Sequence, residues 1–259
     1  MRIPIVFIAS AAATAAAASV TAAYRLVVGP WYRRWGVDPD TIDRALPGDD
    51  LIEQPTGVET REIVIDAPPH RIWPWLVQMG FGRAGWYSYD RLDMDGDSAI
   101  RIVPEWQSIA VGDVIPTHPG GGFRVESIEP DRSLVLYLDD TLVGQQSKVG
   151  DEPVPAGLAM SGAIMGTQPG AFRTSWAFAL EPLEDGRTRL VERCRIWFAS
   201  APPMARLMRP FLGFGVFLMI RRQMLGLRER AELSSLAGGE PGETAPLPEV
   251  VAPQALAPA

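Results

Sequence analysis

Glu192 is the side chain whose position could carry chemistry. It lies in a run, Arg187 to Phe198, that alternates as a strand does. Arg189, Val191, Arg193 and Arg195 share one face; Leu190, Glu192, Cys194 and Ile196 share the other. If the second face looks inward, Glu192 is a carboxylate among apolar walls. Burial favours the neutral acid, so such a group could give a proton or anchor a ligand. Two plainer readings stand beside this: an arginine partner, or a bulge that turns the side chain outward. A second cluster, Trp86, Tyr87, Tyr89 and Asp90, joins amphipathic aromatics to a carboxylate. It could line a pocket and orient a polar head, or pack as core with a helix cap. Trp176, Phe178, Phe214, Leu218 and Met219 would supply apolar cavity wall, or simply core.

Other patterns fail on context. Gly80 to Gly85 matches G-x-G-x-x-G, but Pro68, Pro69 and Pro74 precede it, and a central strand excludes proline. A tight helix-exit turn fits better. Asp93, Asp95 and Asp97 hint at a calcium loop, yet Ser98 stands at the turn-glycine position and Pro104 where a bidentate Glu belongs. His70 and His118 lack spaced partners, so no metal is expected. Cys194 has no local catalytic signature, and Lys148 sits in a polar loop unsuited to Schiff-base chemistry. No cofactor is expected.

The elements that must position these groups can be traced along the chain. Arg61 to Asp66 reads as a strand, with Ile63 and Ile65 on one face. Pro68 opens a helix in which Ile72, Trp73, Leu76 and Met79 recur at helical spacing, with Asp66 near its first donors. Short helices are expected over Pro39 to Arg44 and Ser88 to Met94. Strands follow at Val111 to Thr117, Phe123 to Ile128, Leu134 to Leu138 and Arg173 to Glu181, the last leading into Glu192's strand. Residues Thr141 to Ala171 form a long Gly/Pro-rich excursion, a candidate lid. Met204 to Leu233 is a long terminal helix, apolar nearly all round from Phe211 to Ile220, as a core helix is.

Composition sets the outer bounds. A chain of 259 residues suits one domain of about 180–200 residues with extensions. The single cysteine excludes an intrachain disulfide. A net charge of −7 argues against a nucleic-acid partner. Ile3 through Tyr24 carries no charge and just reaches the ~20 residues that span a bilayer. One reading is a membrane anchor, flanked by Tyr24, Trp31, Tyr32 and the arginines 25, 33 and 34, with the domain facing the cytoplasm. The other is a signal peptide cleaved at Val20-Thr21-Ala22 or Thr21-Ala22-Ala23, giving a secreted protein.

IDAPPHRIWPWL followed by GWYSYD resembles the opening of START/Bet v 1-like proteins, the SRPBCC superfamily that includes the polyketide cyclase/dehydrase group. The likeness continues through RIVPEWQSIAVGDVIP and TSWAFALEPLEDGRTRLVERCRIWF into RRQMLGLRERAE. It implies an α+β helix-grip fold: a curved antiparallel sheet, here of six or seven strands, around a long C-terminal helix and an apolar cavity. The expected organisation is a hydrophobic segment (1–28), a connector (29–56), the domain (57–233) and a disordered tail (234–259). The expected function is binding of a hydrophobic or lipid-like small molecule close to a membrane. The alternatives are a cyclase/dehydratase-like enzyme using Glu192 or Asp90, and a non-catalytic interaction module.

Overall fold

The computed structural model describes residues 18–93, 96–118, 121–139, 172–199 and 203–236; of Asp93, His118, 203–210 and 235–236 it describes the backbone alone. The start of the N-terminal run, Asp95, the excursion 141–171 with Lys148, and the tail from 237 lie outside the described residues. The described chain forms a six-stranded sheet in the order β1-β6-β5-β4-β3-β2. The strands are β1 (Gly57–Ile65), β2 (Val114–His118), β3 (Gly121–Glu129), β4 (Ser133–Asp139), β5 (Phe172–Pro182) and β6 (Thr188–Phe198), every neighbouring pair antiparallel. The helices are α1 (Gly29–Arg33), α2 (Pro39–Ile42), α3 (Pro69–Val77), α4 (Asp90–Asp93) and α5 (Pro203–Leu236). This is the expected α+β helix-grip architecture, with six strands.

Period-2 alternation lays inward side chains in rows across the concave face. The deepest rows hold Ile63, Leu190 and Leu180, then Arg61, Glu192, Phe178 and Leu134. The next row is Glu59, Cys194, Trp176, Leu136 and Val125. The row beyond it is Gly57, Ile196, Thr174 and Leu138. Helix α3 begins at Pro69 after a Pro68 cap and buries Ile72, Trp75 and Leu76. Asp66 does not cap it; the Asp66 N–H instead donates to Glu232 Oε1 of α5 at 3.0 Å.

Helix α5 closes the concave face with a stripe of Phe217, Ile220, Met224, Leu227 and Ala231, spaced by three or four residues. The run Phe211 to Ile220 is therefore not buried all round: Phe211 is 68% exposed and Leu218 40%. Glycines set how closely α5 is approached. A Cβ at Gly226 would stand 2.3 Å from the Tyr87 carbonyl oxygen, and one at Gly213 2.8 Å from the Tyr32 hydroxyl.

The N-terminal segment corrects one expectation. No helix of the described residues is long and apolar enough to cross a membrane. The transmembrane helix, and the membrane-anchored localisation that rested on it, are withdrawn. From residue 18 the chain is helical, loosens into a π-turn at Tyr24–Val28, and passes into α1. Tyr32 is buried against Phe214 and Phe217, with its hydroxyl 2.9 Å from that of Tyr24. The Tyr32 and Trp31 rings thus pack this stretch against α5.

The connector from Thr41 to Glu53 packs on the opposite, convex face. Arg193 organises it: its guanidinium donates to the carbonyls of Thr41, Ile42 and Arg44, to Asp49 Oδ2 at 2.7 Å and to Thr60 Oγ1. Leu46 joins Ala179 and Val191 in a small second core there.

Candidate functional site

A charged cluster lies on the concave face beneath α5. Glu192 does point inward and is fully buried. Its Oε2 accepts from Arg61 Nη1 at 3.0 Å. Its Oε1 accepts from the Trp176 indole N–H at 2.7 Å and from the Cys194 thiol at 3.0 Å. Arg61, also fully buried, gives its second amino group to Glu59 Oε2. Arg61 Nε has no hydrogen-bond partner among the described residues; the guanidinium lies 5.7 Å from the Phe217 ring centroid instead. Two carboxylates thus share one guanidinium where a cavity floor is expected. Taking these charges out of water is costly, and their mutual contacts, with the Trp176 and Cys194 hydrogen bonds to Glu192, offset it.

Protonation follows from this geometry. Burial works against the Arg61 charge, but Glu192 and Glu59 outweigh it and raise the guanidinium pKa further. Burial, then Glu192, pushes the Cys194 thiol well up, so it is a poor nucleophile. Burial raises the Glu59 carboxyl above 4.5, with Arg61 pulling it back. A raised folded-state value means the native chain holds this proton more tightly than the unfolded chain. The resulting stability is full below 4.5 and is lost as pH climbs through the folded value. Glu59→Gln removes that titration. Its urea midpoint is therefore expected to gain on the wild type as pH rises from below 4.5 towards neutrality. A pH-independent difference would contradict this.

The other sequence candidates divide. Trp86 stacks on Trp176 at 5.6 Å, and Phe123 and Phe178 pack on the Trp176 ring at 5.3 and 5.0 Å. These groups join Glu192 on the concave face. Tyr87 is buried, but its hydroxyl is engaged by the Trp75 carbonyl and the Gln78 amide. Asp90 accepts from the Ser98 N–H and hydroxyl at 2.8 and 2.5 Å, tying down its loop. Tyr89 is exposed. Phe214 packs on Tyr32, Leu218 faces outward, and the Met219 carbonyl accepts from Ser88. Arg61 and Glu59 were missed. The signal was present: Arg61 shares the parity of Ile63 and Ile65.

The concave face is not uniform along the strands. Its deep end is closed by Leu180, Leu190, Met224 and Leu227. At the other end Phe123, Leu138, Ile196 and the Phe172–Phe198 pair are only half-buried. A cavity of about 480 Å3 lies elsewhere among the described residues. It lies on the convex face, lined by Arg34, Arg44, Asp49, Thr60, Arg193 and Arg195. It is polar, unlike the apolar hollow expected, and Arg193 and Arg195 are spent on connector carbonyls.

No family model matches the chain, and no curated protein does. Its folding pattern is compatible with the helix grip, without a family to name. Among solved structures it is similar to a Mesorhizobium loti protein, at 16% identity and a TM-score of 0.35, over 69% of this chain and 98% of that one. A Nitrosospira multiformis protein aligns at 13% identity and a TM-score of 0.37, over 70% and 99%. A conserved protein from Geobacillus kaustophilus aligns at 13% and 0.35, over 67% and 93%.

Proposed function

We propose that this chain is a START/Bet v 1-like protein that binds a hydrophobic small molecule on the outer rows of its concave face. One observation supports the reading. Apolar inward side chains at Phe123, Leu138, Ile196, Phe172 and Phe198 remain half-buried, while the same face is sealed at its other end. Covering such surface favours association by about 25 cal/mol per Å2. The Trp86–Trp176 stack forms the inner limit. The cyclase-type alternative has weaker support, because its two carboxylates are already engaged: Glu192 by Arg61, Trp176 and Cys194, Asp90 by Ser98.

A neutral naphthylamine probe tests the reading. It is expected to bind with micromolar affinity, brighten, and quench tryptophan emission. Ile196→Arg puts a charge on the apolar rim and is expected to abolish uptake while circular dichroism stays unchanged. No uptake by the wild type, or equal uptake by the folded variant, overturns the proposal.

A further inference from the structure

We infer that the polar end of the bound molecule is a hydrogen-bond donor, a hydroxyl or a protonated amine, and that Glu59 receives it. The inference rests on the binding reading above and adds the ligand's chemistry. Of the three charged groups in the buried cluster, Arg61 and Glu192 have no exposed side-chain surface, whereas Glu59 keeps 11%. The group within reach is therefore an acceptor. The Arg61 guanidinium, which would attract an acid, is sealed behind it, and the exposed Arg33 acts on Glu59 less strongly than Arg61 does.

Access is built into the strand. Glu59 stands one row inside the half-buried apolar rim, beside Cys194 and Trp176. On its own strand and face, the next residue towards the rim is Gly57, opposite Ile196. A Cβ placed at Gly57 meets nothing within 4 Å among the described residues. No side chain on β1 separates the Glu59 carboxylate from the rim, and no described residue fills the space beside Gly57. An apolar tail on Ile196, Leu138 and Phe123 would leave its head at this gap. Glu59 Oε2 is committed to Arg61, which leaves Oε1 to accept from the head. A carboxylate head has no donor to offer and meets a like charge.

Three probes of equal chain length decide this at neutral pH: dodecylamine, dodecanol and dodecanoate, each displacing the naphthylamine from the full chain. The amine and the alcohol are expected to bind about tenfold tighter than the carboxylate, the worth of one hydrogen bond to a charged group. In Glu59→Gln the amide oxygen must face Arg61, so the amide N–H2 faces the ligand. The preference for amine over carboxylate is then expected to disappear. Gly57→Val suits a strand and fills the gap. It is expected to remove the same preference while naphthylamine uptake persists, and it carries the test if Glu59→Gln fails to fold. Equal binding of the three probes by the wild type overturns the inference and leaves the binding proposal standing, as does a preference that survives the folded variants. Failure of the wild type to take up the naphthylamine or any dodecyl probe overturns both.

Discussion

Arg61→Met is expected to lower the unfolding free energy by about 3–5 kcal/mol. The loss exceeds that of a pair of hydrogen bonds. Glu59 and Glu192 would be left facing each other with no counter-charge, one of them without any solvent exposure. Relief would come from protonation, so the variant is expected to recover stability on acidification. Urea unfolding measured across pH checks both statements. Replacing the whole cluster, as Glu59→Leu/Arg61→Met/Glu192→Leu, is expected to restore most of the loss, since well-packed apolar groups replace a buried ionic cluster at little cost or some gain. If the triple variant were as unstable as the single one, the deficit would belong to packing around Phe217 and Trp176 and not to charge. A triple variant that folds well but no longer distinguishes amine from carboxylate probes would separate what the cluster does for folding from what it does for a ligand.

Arg193→Met carries the second large effect. This one side chain holds three backbone carbonyls of the connector and the Asp49 carboxylate from a nearly fully buried position. Each buried acceptor left unpaired costs about 1–3 kcal/mol, so a total near 3–5 kcal/mol is expected if the connector stays docked. Release is the cheaper outcome, because freed carbonyls can bind water. Trypsin then has a specific reporter site: the bond after Arg44, whose carbonyl Arg193 normally holds. The variant is expected to be cut there first and rapidly, with the sheet domain surviving. Arg187→Met makes the contrast. That arginine pairs with Asp185 at an exposed turn, where solvent screens the pair, and its loss is expected to move neither the urea midpoint nor the cleavage pattern measurably.

The difference between these two arginines marks where sequence reading succeeds and where it stops. Strand alternation is local, so the inward parity of Glu192 could be read from Leu190, Cys194 and Ile196 alone. The same parity, taken two residues back from Ile63, would have exposed Arg61 as its partner. What hid Arg61 was its type: a guanidinium on a core row reads as a strand terminus until the facing carboxylate is known. Arg193 was legible only as an outward-facing residue. Its acceptors are carbonyls of the connector, far away in sequence, and a carbonyl carries no mark of its future donor. The terminal helix misled for a third reason. From Phe211 to Ile220 apolar residues fill every face, and composition alone does not say which face is covered. The stripe that α5 buries emerges only when Gln223, Met224, Leu227 and Ala231 extend the spacing. The N-terminal run misled similarly, because length and lack of charge suit a bilayer. The Tyr32 ring that packs this stretch on α5 is a minor note in its hydropathy.

The passage from α1 to α2 has one more consequence. There the Trp35 carbonyl takes the Glu62 N–H at 3.2 Å, and the Glu62 carboxylate receives the Asp38 N–H and the Thr41 hydroxyl. β1 is the outermost strand on its side, so its outward-pointing amides would otherwise offer a template for a strand from another molecule. The chain's own backbone occupies that template at its midpoint. At the opposite margin β2 is only five residues long and contains Pro116, which has no amide hydrogen to offer. An open sheet of this kind thereby guards itself against edge-to-edge assembly on both flanks, once by a crossing loop and once by brevity and an imino acid.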